Sequence, residues 1–294
     1  MDKILESHDL RKEFKGFVLD NISFSLSRGF IMGFIGPNGA GKTTTIKLIM
    51  NLLHRDGGEI KVFGLDLLGH EKEIKERIGF VYDEIFYYES LTAGEIGFLM
   101  PRFYRSWDRD AFRRYLNDFS LPHKKKIKEF SRGMKMKLSL AVALSHHAEL
   151  VIMDEPTAGL DPVFRNELLE ILSGYIQDEK KSVLFSSHIT SDLERIADYV
   201  TFINRGKIVF SENKDDVQHR YSVVQGPKAD LTPDLESRLI GLNRAGFGFD
   251  GLCEDVDEIR QQLSGQSIVE NASLDQIMIY FARDGRNDNQ GGVL

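Results

Sequence analysis

Gly36-Pro37-Asn38-Gly39-Ala40-Gly41-Lys42-Thr43 fits G-x-x-x-x-G-K-[ST], the pattern of a phosphate-binding P-loop. Chemistry explains each letter. Glycines let successive backbone N–H groups turn inward and form a concave anion site. A helix opening near Gly41 adds the positive end of its dipole. Lys42 supplies a point charge for the β- and γ-phosphates, and the Thr43 hydroxyl is a ligand for Mg²⁺. Upstream, Gly29-Phe30-Ile31-Met32-Gly33-Phe34-Ile35 reads as a buried strand. Downstream, Thr44-Thr45-Ile46-Lys47-Leu48-Ile49-Met50 carries apolar residues at helical spacing, so the motif stands in the strand–loop–helix context it needs.

Working outward, Ile4–Leu10, Phe17–Leu19 and Ile22–Leu26 read as short strands, as do Gly57–Gly64 and Ile78–Tyr82. From Leu91 to His147 the pattern is helical. Thr92 and Glu95 form a capping box there, and Asp108 opens a segment that runs to Phe119. Strands return at Leu150–Met153 and Ser182–Phe185, with a helix from Pro162 to Asp178 between them. Such alternation predicts an α/β fold with a mostly parallel sheet covered on both faces. Tyr199–Ile203 and Lys207–Phe210 read as a hairpin through Asn204-Arg205-Gly206. Beyond it, Val217–Val224, Leu239–Phe249 and Val256–Leu263 predict a small α+β unit, and Ser273–Gln276 caps a last helix through Ala282. The polar, Gly-rich residues 285–294 are expected to be disordered.

With 294 residues and 41% hydrophobic content, the chain suits one large or two modest globular domains. Its single cysteine, Cys253, excludes an internal disulfide and a multi-cysteine zinc site. No apolar run of signal-peptide or membrane-spanning length is present, so a membrane path would have to come from another polypeptide. Residues 215–294 hold 14 acidic and 7 basic side chains, whereas the remainder is neutral. The shift predicts a boundary near 215, with a cassette over 1–214 and an accessory domain over 215–284. It also argues against a nucleic-acid partner.

The strand Leu150–Met153 ends in Asp154-Glu155. A P-loop enzyme needs an Asp at a strand tip beside the phosphate loop to hold Mg²⁺. It also needs a group to orient or deprotonate the attacking water, and Glu155 points to the other side of that tip. After the next strand, Ser186-Ser187-His188 brings a polar side chain within reach of a γ-phosphate. His146 and His147 lack metal-ligand spacing. Phe130-Ser131-Arg132-Gly133-Met134 opens an apolar-striped helix, a second Ser/Gly helix start able to meet an anion or simply to cap.

Five spaced elements now stand in order: the P-loop, the Ser-x-Gly helix start, the strand with Asp-Glu, Ala158-Gly159-Leu160-Asp161, and Ser187-His188. Together they resemble the ATP-binding subunit of ABC transporters over about residues 4–212. The resemblance implies a P-loop NTPase core with an N-terminal antiparallel β subdomain and a helical subdomain near 91–147. It implies a head-to-tail homodimer, or a pair with a close paralogue, in which MgATP lies between the P-loop of one subunit and Ser131 and Gly133 of the other. ATP would be held by Gly36, Asn38, Gly39, Ala40, Gly41, Lys42, Thr43 and Thr44, with Phe14 stacked on adenine and Asp161 in the loop that crosses the interface. Glu155 would be the catalytic base and His188 its support at the γ-phosphate. Thr43 and Asp154 would serve Mg²⁺. The implied partner is an integral-membrane permease subunit, which places the chain at the cytoplasmic face of the cell membrane.

Two positions depart from the family pattern. Leu-Ser-Gly-Gly-Gln is replaced by Phe130–Met134, where Arg132 stands for glycine, and the usual Gln after the strand at Ile78–Tyr82 is replaced by Asp83. The Asp83 carboxylate is able to ligate Mg²⁺ directly, so that the resemblance still implies a metal role there with different coupling. With the acidic extension and Asn271–Ile277, these variants look like the ABC-2 export branch, whose cargoes include antibiotics and peptides. The competing reading is a soluble ABC-type ATPase acting on a non-membrane partner. It is disfavoured by one P-loop in place of two and by the lack of heptads between Lys42 and Asp154.

Overall fold

The computed structural model describes residues 2–82, 87–260 and 263–287. Two long strands, β1 (Lys3–Phe14) and β2 (Phe17–Ser27), precede β3 (Ile31–Ile35) and α1 (Lys42–Ile49). Then come β4 (Gly57–Val62), β5 (Leu65–Asp66), α2 (Glu71–Glu76) and β6 (Ile78–Val81). A helical region holds α3 (Ala93–Leu99), α4 (Arg109–Asp118) and α5 (Arg132–Leu144). Alternation resumes with β7 (Leu150–Asp154), α6 (Pro162–Tyr175), β8 (Ser182–Ser187), α7 (Thr190–Ile196), β9 (Tyr199–Asn204) and β10 (Lys207–Asn213). Beyond these lie α8 (Lys214–Arg220), β11 (Tyr221–Pro227), α9 (Pro233–Arg238), β12 (Leu239–Arg244), β13 (Gly248–Glu254), β14 (Ile268–Asn271) and α10 (Leu274–Asn287).

The central sheet runs β10-β9-β3-β8-β7-β6. Its pairings are parallel except for the β9–β10 hairpin. Every residue of β3, β7 and β8 is buried, as expected where crossover helices cover both faces. A second, antiparallel sheet, β2-β1-β4-β5, faces it. Helix α1 lies in the joint core of the two, where Ile46 and Ile49 meet Leu10, Leu19 and Ile22 from one side and Ile152 and Leu184 from the other. The P-loop is thus held from both ends by buried elements.

Three helix starts follow the expected side chains: Thr92 and Glu95 complete a capping box, Asp108 accepts from the first turn of α4, and Ser131 caps α5. Asp161, expected only as part of a loop, also caps α6 ahead of Pro162. Strands β1 and β2 run longer than their apolar alternation suggests. Bulges between Ser7 and Lys12 carry β1 through its polar stretch, with Asp9 in the left-handed region at φ 49°.

The C-terminal residues form their own antiparallel sheet, β12-β13-β11-β14. The segment Val217–Val224 divides between α8 and β11, and Leu239–Phe249 is a hairpin. Val256–Glu258 is one turn of 3₁₀ helix. Ser273 and Gln276 form the expected box, but α10 continues past Ala282 to Asn287. The remainder of the tail expected to be disordered lies outside the described residues. Leu274, Ile277 and Tyr280 of α10 are buried in one cluster with Phe202 of β9 and Leu193 of α7. The Glu194 carboxylate of α7 accepts a 2.9 Å hydrogen bond from Leu274 N.

Candidate functional site

Three parallel strands bring the chemistry together. Register pairs Ile35 of β3 with Ser187 of β8, and Ser186 with Asp154 of β7. The P-loop, Asp154-Glu155 and Ser187-His188 therefore leave the carboxyl edge of the sheet side by side, where ligands of open α/β sheets bind. A cleft of about 480 Å³ opens there. Asn38, Gly39 and Gly41–Thr44 form one wall, Glu155, Ala158 and His188 the other, and Phe17 the end.

The loop is built by sterics. Gly41 has φ 117°, and a Cβ there would lie 2.6 Å from Leu19 Cδ1. A Cβ on Gly36 would lie 2.2 Å from Ile203 O. Lys42 is buried and bends back to donate to Gly36 O at 2.7 Å and Pro37 O at 3.4 Å, closing the loop on itself. No side chain caps α1 and no acidic residue stands in its first turn, so its N–H groups face the cleft with their dipole uncompensated.

Glu155 is held at three points. Its Oε1 lies 3.2 Å from Lys42 Nζ, an ion pair outside hydrogen-bonding geometry. Its Oε2 accepts from His188 N at 3.2 Å and lies 2.6 Å from His188 Nδ1. A carboxylate only accepts, so this contact assigns the proton to Nδ1 and leaves Nε2 for a ligand. Its backbone sits at φ 49°, a conformation that costs a non-glycine residue about 1–3 kcal/mol and marks functional turns. Asp154, one residue earlier, is 1% exposed and accepts a 2.7 Å hydrogen bond from Ser186 Oγ. Burial lifts its carboxyl above the ordinary range, against hydrogen bonds from Ser186 and Thr43 that favour the charge. Among the described residues no group of three or more His, Cys, Asp and Glu side chains gathers for a metal. The Thr43–Asp154 pair is an all-oxygen donor set suited to Mg²⁺, which is usually bound through one or two carboxylates with substrate phosphates and water.

The cleft does not collect every residue named from the sequence. Gly36 and Ala40 shape the loop from behind, since Gly36 receives Lys42 and Ala40 is buried. Ser131 is turned to its own helix, accepting from Met134 N at 3.2 Å, and neither it nor Gly133 lines the cleft. Gly133 faces open space, and outside its own helix nothing stands within 4 Å of where a Cβ would lie. Asp161 serves as the cap of α6. Phe14 is half-exposed and paired with Phe17 at 6.4 Å between ring centroids. Phe17 lines the cleft and was not singled out from the sequence, although it stands three residues beyond Phe14 at the start of the next strand. Asp83 lies outside the described residues. The Arg132 guanidinium lies against the Ala158–Asp161 loop, where a Cβ on Gly159 would be 3.0 Å from its Nη1.

Known proteins share the family pattern and the fold. The family profile described as "ABC transporter" matches residues 19–158. The chain is 35% identical over 212 residues to the bacitracin transport ATP-binding protein BcrA of Bacillus licheniformis, covering 71% of this chain and 69% of that protein. It is 35% identical over 223 residues to the linearmycin resistance ATP-binding protein LnrL of Bacillus subtilis (strain 168), covering 74% and 71%. Among solved structures, one titled "Structure of ATP binding subunit of ABC transporter" superposes with a TM-score of 0.66 at 29% identity, covering 74% of this chain and 92% of that one.

Proposed function

This chain belongs to the family of ABC transporter ATP-binding subunits, and from that membership we propose that it is the ATP-hydrolysing motor of a membrane exporter. No described helix is long and apolar enough to cross a membrane, so a separate permease subunit would carry the cargo. The names of the two relatives, bacitracin transport and linearmycin resistance, support an antibiotic, a peptide or another amphipathic compound as that cargo.

The observation that carries the reading is the pairing of Glu155 with both Lys42 and His188 across the P-loop cleft. In the proposed reaction the P-loop N–H groups and Lys42 hold the β- and γ-phosphates of ATP. Thr43 and Asp154 would hold Mg²⁺, which supplies charge neutralisation between those phosphates. Glu155 takes the proton of the attacking water, and His188, oriented by its Nδ1–Oε2 contact, turns Nε2 to the γ-phosphate. Adenine would stack on Phe14 beside Phe17.

Ser131 and Gly133 have no part in the cleft of their own subunit. Their exposed helix start supports a head-to-tail dimer in which each reaches the nucleotide of the other chain, with Asp161 near the interface and two MgATP per dimer. Asp83 stays a proposed Mg²⁺ ligand on the strength of its place after β6. Residues 215–284 are proposed as an accessory domain.

Hydrolysis by the purified chain, alone and with its genomically adjacent membrane protein in lipid nanodiscs, tests the proposal. Stimulation or regulation by that protein is the expected result. Hydrolysis indifferent to every membrane partner would favour the soluble ATPase reading.

A further inference from the structure

Charge is distributed very unevenly along this chain. Between Pro101 and Leu140 twelve side chains are basic and four acidic, a net of +8, while all other residues together carry −15. The structure places part of this charge on one surface. A shallow groove between α3 and α4 has Gly94, Gly97 and Phe112 as its floor and Arg109, Arg113 and His123 on its walls. Phe98 stands beside it, 67% exposed, with the Arg109 guanidinium 5.8 Å from its ring centroid. Past the short turn at Met100–Arg102, Phe103 is 65% exposed at the edge of a second hollow, which Arg102 and Arg105 share with Lys72, Glu71 and Glu76 of α2. On the other rim, His123 O accepts from Gly94 N, and the exposed run Lys124-Lys125-Lys126 follows.

We propose that this face of the helical region lies on the anionic surface of a lipid bilayer, with Phe98 and Phe103 entering the headgroup layer between the basic side chains. Two large exposed rings flanked by arginines match an interface in which an apolar body meets a wet, charged layer. The cations are spread over the surface and, among the described residues, no buried polar side chain lines the groove, so they match a diffuse anionic layer better than one acidic peptide. Among the described residues, Arg105 and Arg113 pair with Glu76 and Asp110 at 3.5 and 3.8 Å, whereas Arg102, Lys124 and Lys125 form no ion pair with a carboxylate. The rest of the chain is acidic and would be repelled from the same surface, which fixes the orientation. Only the availability of a membrane rests on the transporter reading, and the binding itself is read without hydrolysis.

The test is co-sedimentation of the full chain with vesicles of phosphatidylcholine alone and of phosphatidylcholine with about a third phosphatidylglycerol. Binding to the anionic vesicles only, weakening as salt rises, is expected. Replacing Lys124, Lys125 and Lys126 by Gln should lower partitioning by at least tenfold, since each basic residue near such a surface contributes about fivefold. Phe98→Ser/Phe103→Ser should also lower it, with ATP turnover in solution unchanged by either variant. Equal pelleting with neutral vesicles would overturn the proposal, as would unchanged pelleting of both variants. Low-salt self-association that these same substitutions abolish, without lipid binding, would assign the face to the acidic extension of a second copy instead.

Discussion

Lys42 and Glu155 form a direct ion pair, Nζ to Oε1 at 3.2 Å, across the mouth of the P-loop cleft. The cation proposed for phosphate and the carboxylate proposed for water hold each other in place. In the proposed reaction Lys42 would exchange this partner for phosphate oxygens, releasing one oxygen of Glu155 while His188 keeps the other.

Glu155→Gln removes that competition along with the base. ATP binding, followed by fluorescence titration, should be as tight as in the parent or tighter. Turnover should fall by about 10²-fold or more, the scale of a lost general base. An ATP-trapped dimer in light scattering would accompany it, and unchanged turnover would show that another group takes the proton.

Lys42→Ala should act on binding. The variant loses the hydrogen bond to Gly36 O and the charge facing the phosphates, so nucleotide affinity is expected to drop by at least about tenfold. Retained affinity in the same titration would count against the P-loop assignment.

The glycines of the loop separate sterics from strain. A methyl on Gly36 meets Ile203 O at 2.2 Å, a backbone contact that cannot yield, whereas one on Gly39 meets nothing within 4 Å and only suffers φ 79°. Gly36→Ala should cost about 3 kcal/mol and Gly39→Ala about 1 kcal/mol in urea denaturation. Equal losses would mean that the loop relaxes around either one.

Asp154 gives a pH signature. Burial raises its carboxyl, so the folded chain binds that proton more tightly than the unfolded chain does. The ionised form is therefore penalised by folding. The penalty grows as pH rises above the unfolded value and is complete above the folded one. Asp154→Asn should melt at or above the parent temperature at pH 7, with that advantage shrinking near pH 4, while hydrolysis falls by about 10²-fold. A variant less stable at pH 7 than its parent would show that the charge is compensated in the fold.

Arg132→Gly restores the residue usual in the family and removes the guanidinium from Gly159. The turn that carries Glu155 ends in that loop, so kcat should fall about fivefold, the scale of a contact of about 1 kcal/mol, with ATP affinity unchanged. A rise in kcat would mean instead that the arginine obstructs the dimer.

What the sequence shows directly is what is local. The P-loop, the capping residues Thr92, Asp108 and Ser131, and the alternation of strands and helices each depend on a few neighbouring side chains, and the structure has them. The pairing of Lys42 with Glu155 depends on strand order, and 113 positions separate the two. Phe17 escaped notice because its role in the cleft comes from the crossing of β2 over the loop, which no spacing reveals. The contact of Arg132 with Gly159 joins two motifs that are each legible alone. Strand β14, with Ile268 and Glu270 exposed, lacks the alternation that marks a half-buried strand and exists through its pairing with β11.

The docking of α10 bears on how this protein would be re-engineered. Its residues Leu274, Ile277 and Tyr280 complete the core around Phe202 and Leu193, and Glu194 supplies its first hydrogen-bond acceptor. An exchange of C-terminal parts between relatives that is cut at residue 215 would leave each half with the wrong counterpart. The transplantable unit includes the matching faces of α7 and β9, and a chimera should be designed with its seam inside the cassette.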